Sequence, residues 1–281
     1  MRAISDILQA LLPVLYGALL IGYGNIFFRR IENRTWLFPL VLLVLVAHSL
    51  YIGAYTVAAG HCLLTNFYEF FSLIAYTLAV SYAIVELKPK QIAAGTGMMV
   101  SLVAFVFQLI SSLGAHPDHD IGISEIFKDP IFNIHVTSAV FGYAALTLAT
   151  IYGSLYLLLY NAMRRNKFGV LFYEAPSLDR LERFGLRASA IGFIFLSASI
   201  AFGAVLASQL KADFGFGNYL LDPKTLATVL VWLVFGVTLV ARKVARLEGR
   251  KIVILWMSGF GIAIVSMTII NSFVTNFHDF L

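Results

Sequence analysis

Apolar residues in this sequence gather into blocks of about 20, the length a helix needs to cross a hydrocarbon core of roughly 30 Å. That grouping constrains the fold more than any other feature. Transmembrane β-strands run to about 10 residues of alternating polarity, so blocks this long exclude a β-barrel. Hydrophobic residues make up 60% of the chain and charged ones 12%, with a mean hydropathy of +0.86, which leaves too little polar surface to cover a soluble globule. The sequence therefore specifies an all-α, polytopic protein with lipid as part of its solvent.

The blocks run approximately Leu8–Phe28, Trp36–Ala58, Phe67–Val85, Gln91–Ser112, Ile131–Tyr160, Leu186–Gln209, Thr225–Ala241 and Ile252–Thr275, which predicts eight spans with both termini on one side. Basic residues sort the loops. Arg29, Arg30 and Arg34 follow the first block, Lys88 and Lys90 the third, Arg164, Arg165, Lys167, Arg180 and Arg183 the fifth, and Arg242, Lys243, Arg246, Arg250 and Lys251 the seventh. The other loops hold at most Lys128, or Lys211 with Lys224. By the positive-inside rule the basic loops are cytoplasmic and both termini lie outside. The net charge of +5 is thus a topology signal, not a nucleic-acid-binding patch.

The same pattern excludes several functions. A single cysteine, Cys62, leaves no internal disulfide, no four-thiolate zinc site and no CxxCH haem attachment within the chain. No Walker A sequence argues for an ATPase, and few ionisable residues fall deep in the blocks, against a proton pump or ion transporter. The opening stretch lacks a small-residue cleavage site and reads as a retained first helix. Pro176-Ser177 followed by Leu178, Leu181 and Phe184 predicts a short capped helix along the inner membrane surface. With no linker or repeat, residues 1–281 read as a single membrane domain.

Histidines are the residues with most chemistry to offer, since imidazole is the commonest ligand for metals and haem iron. His135 opens the fifth block and His278 closes the chain, at the same predicted outer depth; that pair suits axial coordination of a haem iron, or two interfacial side chains with their tips in water. His116 and His119 beside Asp118 and Asp120 fit either a surface cation or a solvated turn, and His61 with Cys62 a soft-metal pair or none. His48 falls mid-helix in the second block, where it must hydrogen-bond to another helix or ligate something. Glu69 starts the third, as a helix-N-terminal carboxylate or a residue level with His135. In the 210–224 stretch, aromatic residues beside glycines and flanking lysines match either a porphyrin platform or an interfacial belt leading into a helix capped by Asp222 with Pro223 in its first turn.

The order of these segments resembles the cytochrome c assembly family, of the CcsA, CcmC and CcmF type with HemX-like relatives, most strongly over residues 131–281. IHVTSAVFGYAALTLATIYGSLYLLL is similar to the family's helix that begins with an outward histidine, and RLERFGLRASAIGFIFLSASIAFGAVLAS to the next. FGNYLLDPKTLATVLVWLVFG looks like its tryptophan-rich segment, FVTNFHDFL like its terminal histidine segment, and NFYEFFS like its early Asn-x-x-Glu segment. Phe216 stands where the family has its first tryptophan, and the stretch before Asp222 is leucine and one residue short.

The resemblance implies haem b as transient cargo, with His135 and His278 as iron ligands and Phe216, Gly217, Tyr219, Asp222, Pro223 and Lys224 as the platform; Glu69 and His48 join the candidate set. It also implies a bacterial inner (plasma) membrane location, a membrane partner subunit of a cytochrome c maturation system, and apocytochrome c as client. The chain would not be an enzyme alone but a candidate subunit of a haem lyase (cytochrome c synthetase). The rival expectation is a HemX-like scaffold or regulator that carries no haem and works through its basic inner loops.

Overall fold

The computed structural model describes residues 1–31, 36–60, 67–87, 93–114, 129–209 and 222–273. Their regular elements are all helices: α1 (Arg2–Arg29), α2 (Leu37–Ala59), α3 (Phe67–Glu86), α4 (Ala94–Gly114), α5 (Pro130–Arg164), α6 (Val170–Glu174), α7 (Leu178–Gln209), α8 (Pro223–Lys243) and α9 (Arg250–Phe273). The protein is an all-α, multi-pass membrane protein. Each apolar block coincides with a long helix, although α1 begins six residues and α7 eight residues before its block. Seven helices among the described residues, α1 to α5, α7 and α8, are long and apolar enough to cross a membrane, against eight expected. The eighth block does form a helix, the 24-residue α9 ending at Phe273, but it stands outside the seven.

A second expectation is corrected at the inner end. Leu178 begins no short separate helix; it starts the 32-residue α7, which continues unbroken through Gly185. The short helix is instead α6, which starts eight residues earlier in the chain than foreseen, at Val170 against Leu178, and has no buried residue.

Two compact units divide the chain, Met1–Ile121 with Leu157–Arg180, and Gly122–Tyr156 with Leu181–Leu281. In the first, α1 packs on α2 and α4, α3 packs on α4 and on α2, and α6 lies against α1 and α4. The buried positions of α1 include Leu12, Tyr16, Leu19, Tyr23 and Ile26, and those of α2 include Leu37, Val41, Val44, His48 and Tyr51. Both sets step by four, three, four and three residues, the spacing that keeps one seam of a helix against its neighbours. His48 is therefore a seam residue, and the seam is where a polar side chain in lipid finds protein partners.

In the second unit the seam is made of small residues. An added Cβ at Gly142 of α5 would lie 2.9 Å from Leu196 Cδ2 of α7, and one at Gly192 of α7 would lie 2.5 Å from Leu146 Cδ2 of α5. Each leucine thus fills the hole left by the other helix's glycine, so the backbones come close enough for dispersion contacts to hold them in a solvent as apolar as leucine itself. Trp256 of α9, fully buried, sits between Gly153 and Gly185, where a Cβ would approach its indole to 2.6 Å in each case. The 244–249 turn is tied down by Glu182, whose Oε2 accepts from the Gly249 N–H at 2.9 Å and whose Oε1 lies 3.3 Å from Arg242.

Candidate functional site

His135 is set by the start of α5. Asp129 Oδ1 accepts the Ile131 N–H at 2.7 Å, the Asp129 carbonyl accepts from the Asn133 side chain at 3.1 Å, and Pro130 opens the helix where its missing N–H costs nothing. One and a half turns on, His135 Nδ1 lies 2.7 Å from the Ser199 carbonyl oxygen and 3.3 Å from Ser199 Oγ, both on α7. A carbonyl only accepts, so Nδ1 carries the proton. Neutral His135 then has its lone pair on Nε2, the arrangement in which a backbone carbonyl orients a ligating imidazole and raises its basicity.

The start of α8 behaves as its sequence predicts. Asp222 caps α8, with Oδ2 accepting the Thr225 N–H at 3.0 Å, and Pro223 occupies the first turn. Lys224 is half-buried in the same turn. Behind these residues three helices are joined. Thr228 donates to the Lys224 carbonyl at 2.9 Å, which leaves its oxygen to accept from the Tyr143 phenol of α5 at 3.3 Å. Trp232 of α8 donates to Ser197 Oγ of α7 at 2.7 Å, and its indole stacks on Phe193 with centroids 5.1 Å apart and planes inclined by 15°. His135, Asp222 and Lys224 thus sit on helices held in register, which is what a site needs from its support. No site role was assigned from the sequence to Ser199, Tyr143, Thr228 or Trp232; their only signal toward one was polarity inside an apolar block. Phe216, Gly217, Tyr219 and His278 lie outside the described residues, as do His61, Cys62, His116, Asp118, His119 and Asp120.

Glu69 and His48 belong to the first unit. Glu69 is buried and accepts the Tyr55 phenol at 2.5 Å, so its role at the start of α3 includes a partner on α2. His48 is the centre of a chain that crosses four helices. Its Nδ1 is 3.0 Å from Tyr16 Oη of α1 and its Nε2 is 3.1 Å from Ser72 Oγ of α3; Ser72 reaches Gln108 Oε1 of α4 at 3.0 Å, Gln108 Nε2 reaches Ser112 Oγ at 3.1 Å, and Ser112 ends on the Gln9 carbonyl at 2.9 Å.

That last carbonyl sets the direction of every bond. Ser112 must spend its proton on Gln9, so it accepts from the Gln108 amide, which turns Gln108 Oε1 toward Ser72. Ser72 then donates to Gln108 and accepts from His48 Nε2–H, and Nδ1 accepts from Tyr16. Of the two sequence-level alternatives for His48, the structure shows hydrogen bonding to other helices, with both ring nitrogens engaged. Iron ligation by this side chain would require one of those bonds to break.

A family model described as cytochrome C assembly protein matches residues 64–278, which span His135, the α8 start and the buried chain from Ser72 onward. The chain belongs to the cytochrome c assembly protein family. Membership ties it to cytochrome c biogenesis. It is 27% identical over 237 residues to Protein HemX of Brevibacillus brevis, covering 81% of this chain and 82% of that protein. It is 24% identical over 281 residues to cytochrome c biogenesis protein CcsA of Guillardia theta, covering 93% and 91%, and 26% identical over 149 residues to Protein HemX of Bacillus subtilis, covering 52% and 51%.

Proposed function

We propose that this protein handles haem in cytochrome c maturation, binding haem b as cargo and presenting it on the outer face of a bacterial plasma membrane for attachment to apocytochrome c. The observation that carries the reading is the His135 imidazole, whose Nδ1–H is held by the Ser199 carbonyl so that Nε2 bears the lone pair an iron ligand needs. His278 is the second axial ligand. Phe216, Gly217 and Tyr219 form the aromatic platform, and Lys224, half-buried beside the Asp222 cap, meets a haem propionate. With one cysteine in the chain, the thiols that form the thioether bonds come from the client, and a membrane partner subunit brings that client in its reduced form.

The test is the absorption spectrum of the detergent-purified protein, reduced and oxidised, for wild type, His135→Ala and His278→Ala. A low-spin bis-histidine spectrum lost in either variant is expected. A wild type that stays colourless after haem addition would overturn the proposal. The second reading is a HemX-like scaffold or regulator that carries no haem, and a colourless wild type would select it.

A further inference from the structure

We propose that Arg164, Arg165, Lys167, Phe168, Phe172 and Tyr173 form a binding surface for anionic phospholipid headgroups. This inference is independent of haem.

The surface is built where a spanning helix stops. Helix α5 closes with Asn166 in the left-handed conformation (φ 53), with the Asn166 N–H donating to the Met163 carbonyl at 3.0 Å and the Lys167 N–H to the Ala162 carbonyl at 2.9 Å. That paired ending turns the chain sharply, so the residues that follow stay at the depth where hydrocarbon gives way to headgroups. Helix α6 is then seated against α1 and α4, closely enough that a Cβ on Gly95 would come within 3.1 Å of the Glu174 carbonyl oxygen.

What this seat presents is both aromatic and cationic. Phe168 and Phe172 meet edge to face at 5.0 Å, Phe172 and Tyr173 at 5.4 Å, and Arg30 lies over the Tyr173 ring at 4.5 Å. Phe168 is 52% exposed and Tyr173 60%, an arrangement that water disfavours and a membrane interface rewards. Arg164, Arg165 and Lys167 are exposed beside them, as are Arg29 and Arg30 at the end of α1, and Glu174 is the one acid between residues 164 and 174. Rings that sink into the interface beside cations that meet phosphate match an anionic leaflet in both respects. A soluble acidic protein would match the charges but would have to lift the rings out of the interface.

The full chain, purified in detergent, is titrated with phosphatidylglycerol, with phosphatidylcholine of the same acyl chains, and with inorganic phosphate, and bound lipid is counted by native mass spectrometry. Wild type is expected to prefer phosphatidylglycerol by at least about tenfold, and the triple variant Arg164→Gln, Arg165→Gln, Lys167→Gln to lose about that factor, since each cation near an anionic surface adds several-fold in affinity. Raising the salt should shrink the wild-type preference, a readout that needs no variant. Equal preference in wild type and triple variant, or a salt-independent preference, would overturn the proposal. So would competition by inorganic phosphate at the same concentrations as lipid, which would mark a discrete anion site instead.

Discussion

Ser72→Ala should destabilise the protein about twice as much as Tyr16→Phe, because of where each residue stands in the buried chain through His48. Tyr16 is the terminal donor, and its loss strips one bond and leaves His48 Nδ1 without a donor. Ser72 is internal: it accepts from His48 Nε2–H and donates to Gln108, so the alanine removes two bonds and strands a donor and an acceptor. Interhelical hydrogen bonds in membrane proteins are worth about 0.6 kcal/mol on average and up to about 1.7, which puts Tyr16→Phe in that range and Ser72→Ala between about 1.2 and 3.4 kcal/mol. All of these side chains except Ser112 are fully buried, so water cannot stand in for a missing partner. Equilibrium unfolding in mixed detergent micelles measures both costs. The ¹⁵N shifts of His48 test the direction separately, and a neutral ring with its proton on Nε2 is expected. A proton on Nδ1, or a Tyr16→Phe cost equal to or above that of Ser72→Ala, would refute the derivation from the Gln9 carbonyl.

Two further substitutions probe the second unit. Gly192→Val should cost about 1–3 kcal/mol, because its first side-chain atom meets Leu146 Cδ2 at 2.5 Å; Leu146→Ala in the same chain should recover part of that loss, and an additive double variant would contradict the glycine–leucine interlock. Asp222→Ala should cost about 1 kcal/mol through loss of the α8 cap, whereas Asp222→Asn retains an acceptor for the Thr225 N–H and should stay within a few tenths of wild type in thermal unfolding. If Asp222→Asn instead behaves like the alanine, the carboxylate charge matters and capping does not explain the residue.

How much of this was legible in advance differs from residue to residue. The Asp222 cap and the Pro223 first turn could be read directly, since capping involves only residues three apart. The helices could be read for a similar reason, because twenty apolar residues in a row have no other stable form in lipid. The inner surface was misplaced: Pro176-Ser177 does start a helix, but nothing local told that Gly185 would be covered by Trp256 and the helix would run on for 32 residues. The short helix α6 was missed because five residues carry no periodicity worth the name. His135 stood out as a histidine at a helix start, but Ser199, which fixes its tautomer, is 64 positions away and resembles any other serine in an apolar run.

By itself, the sequence determined the solvent and the helices of this protein, because both follow from how many apolar residues stand next to one another along the chain. Only the tertiary structure decided what its polar residues do. Tyr16, His48, Ser72 and Gln108 lie on four different helices, and the direction of every proton between them descends from a single backbone carbonyl at Gln9 that no local pattern connects to any of them.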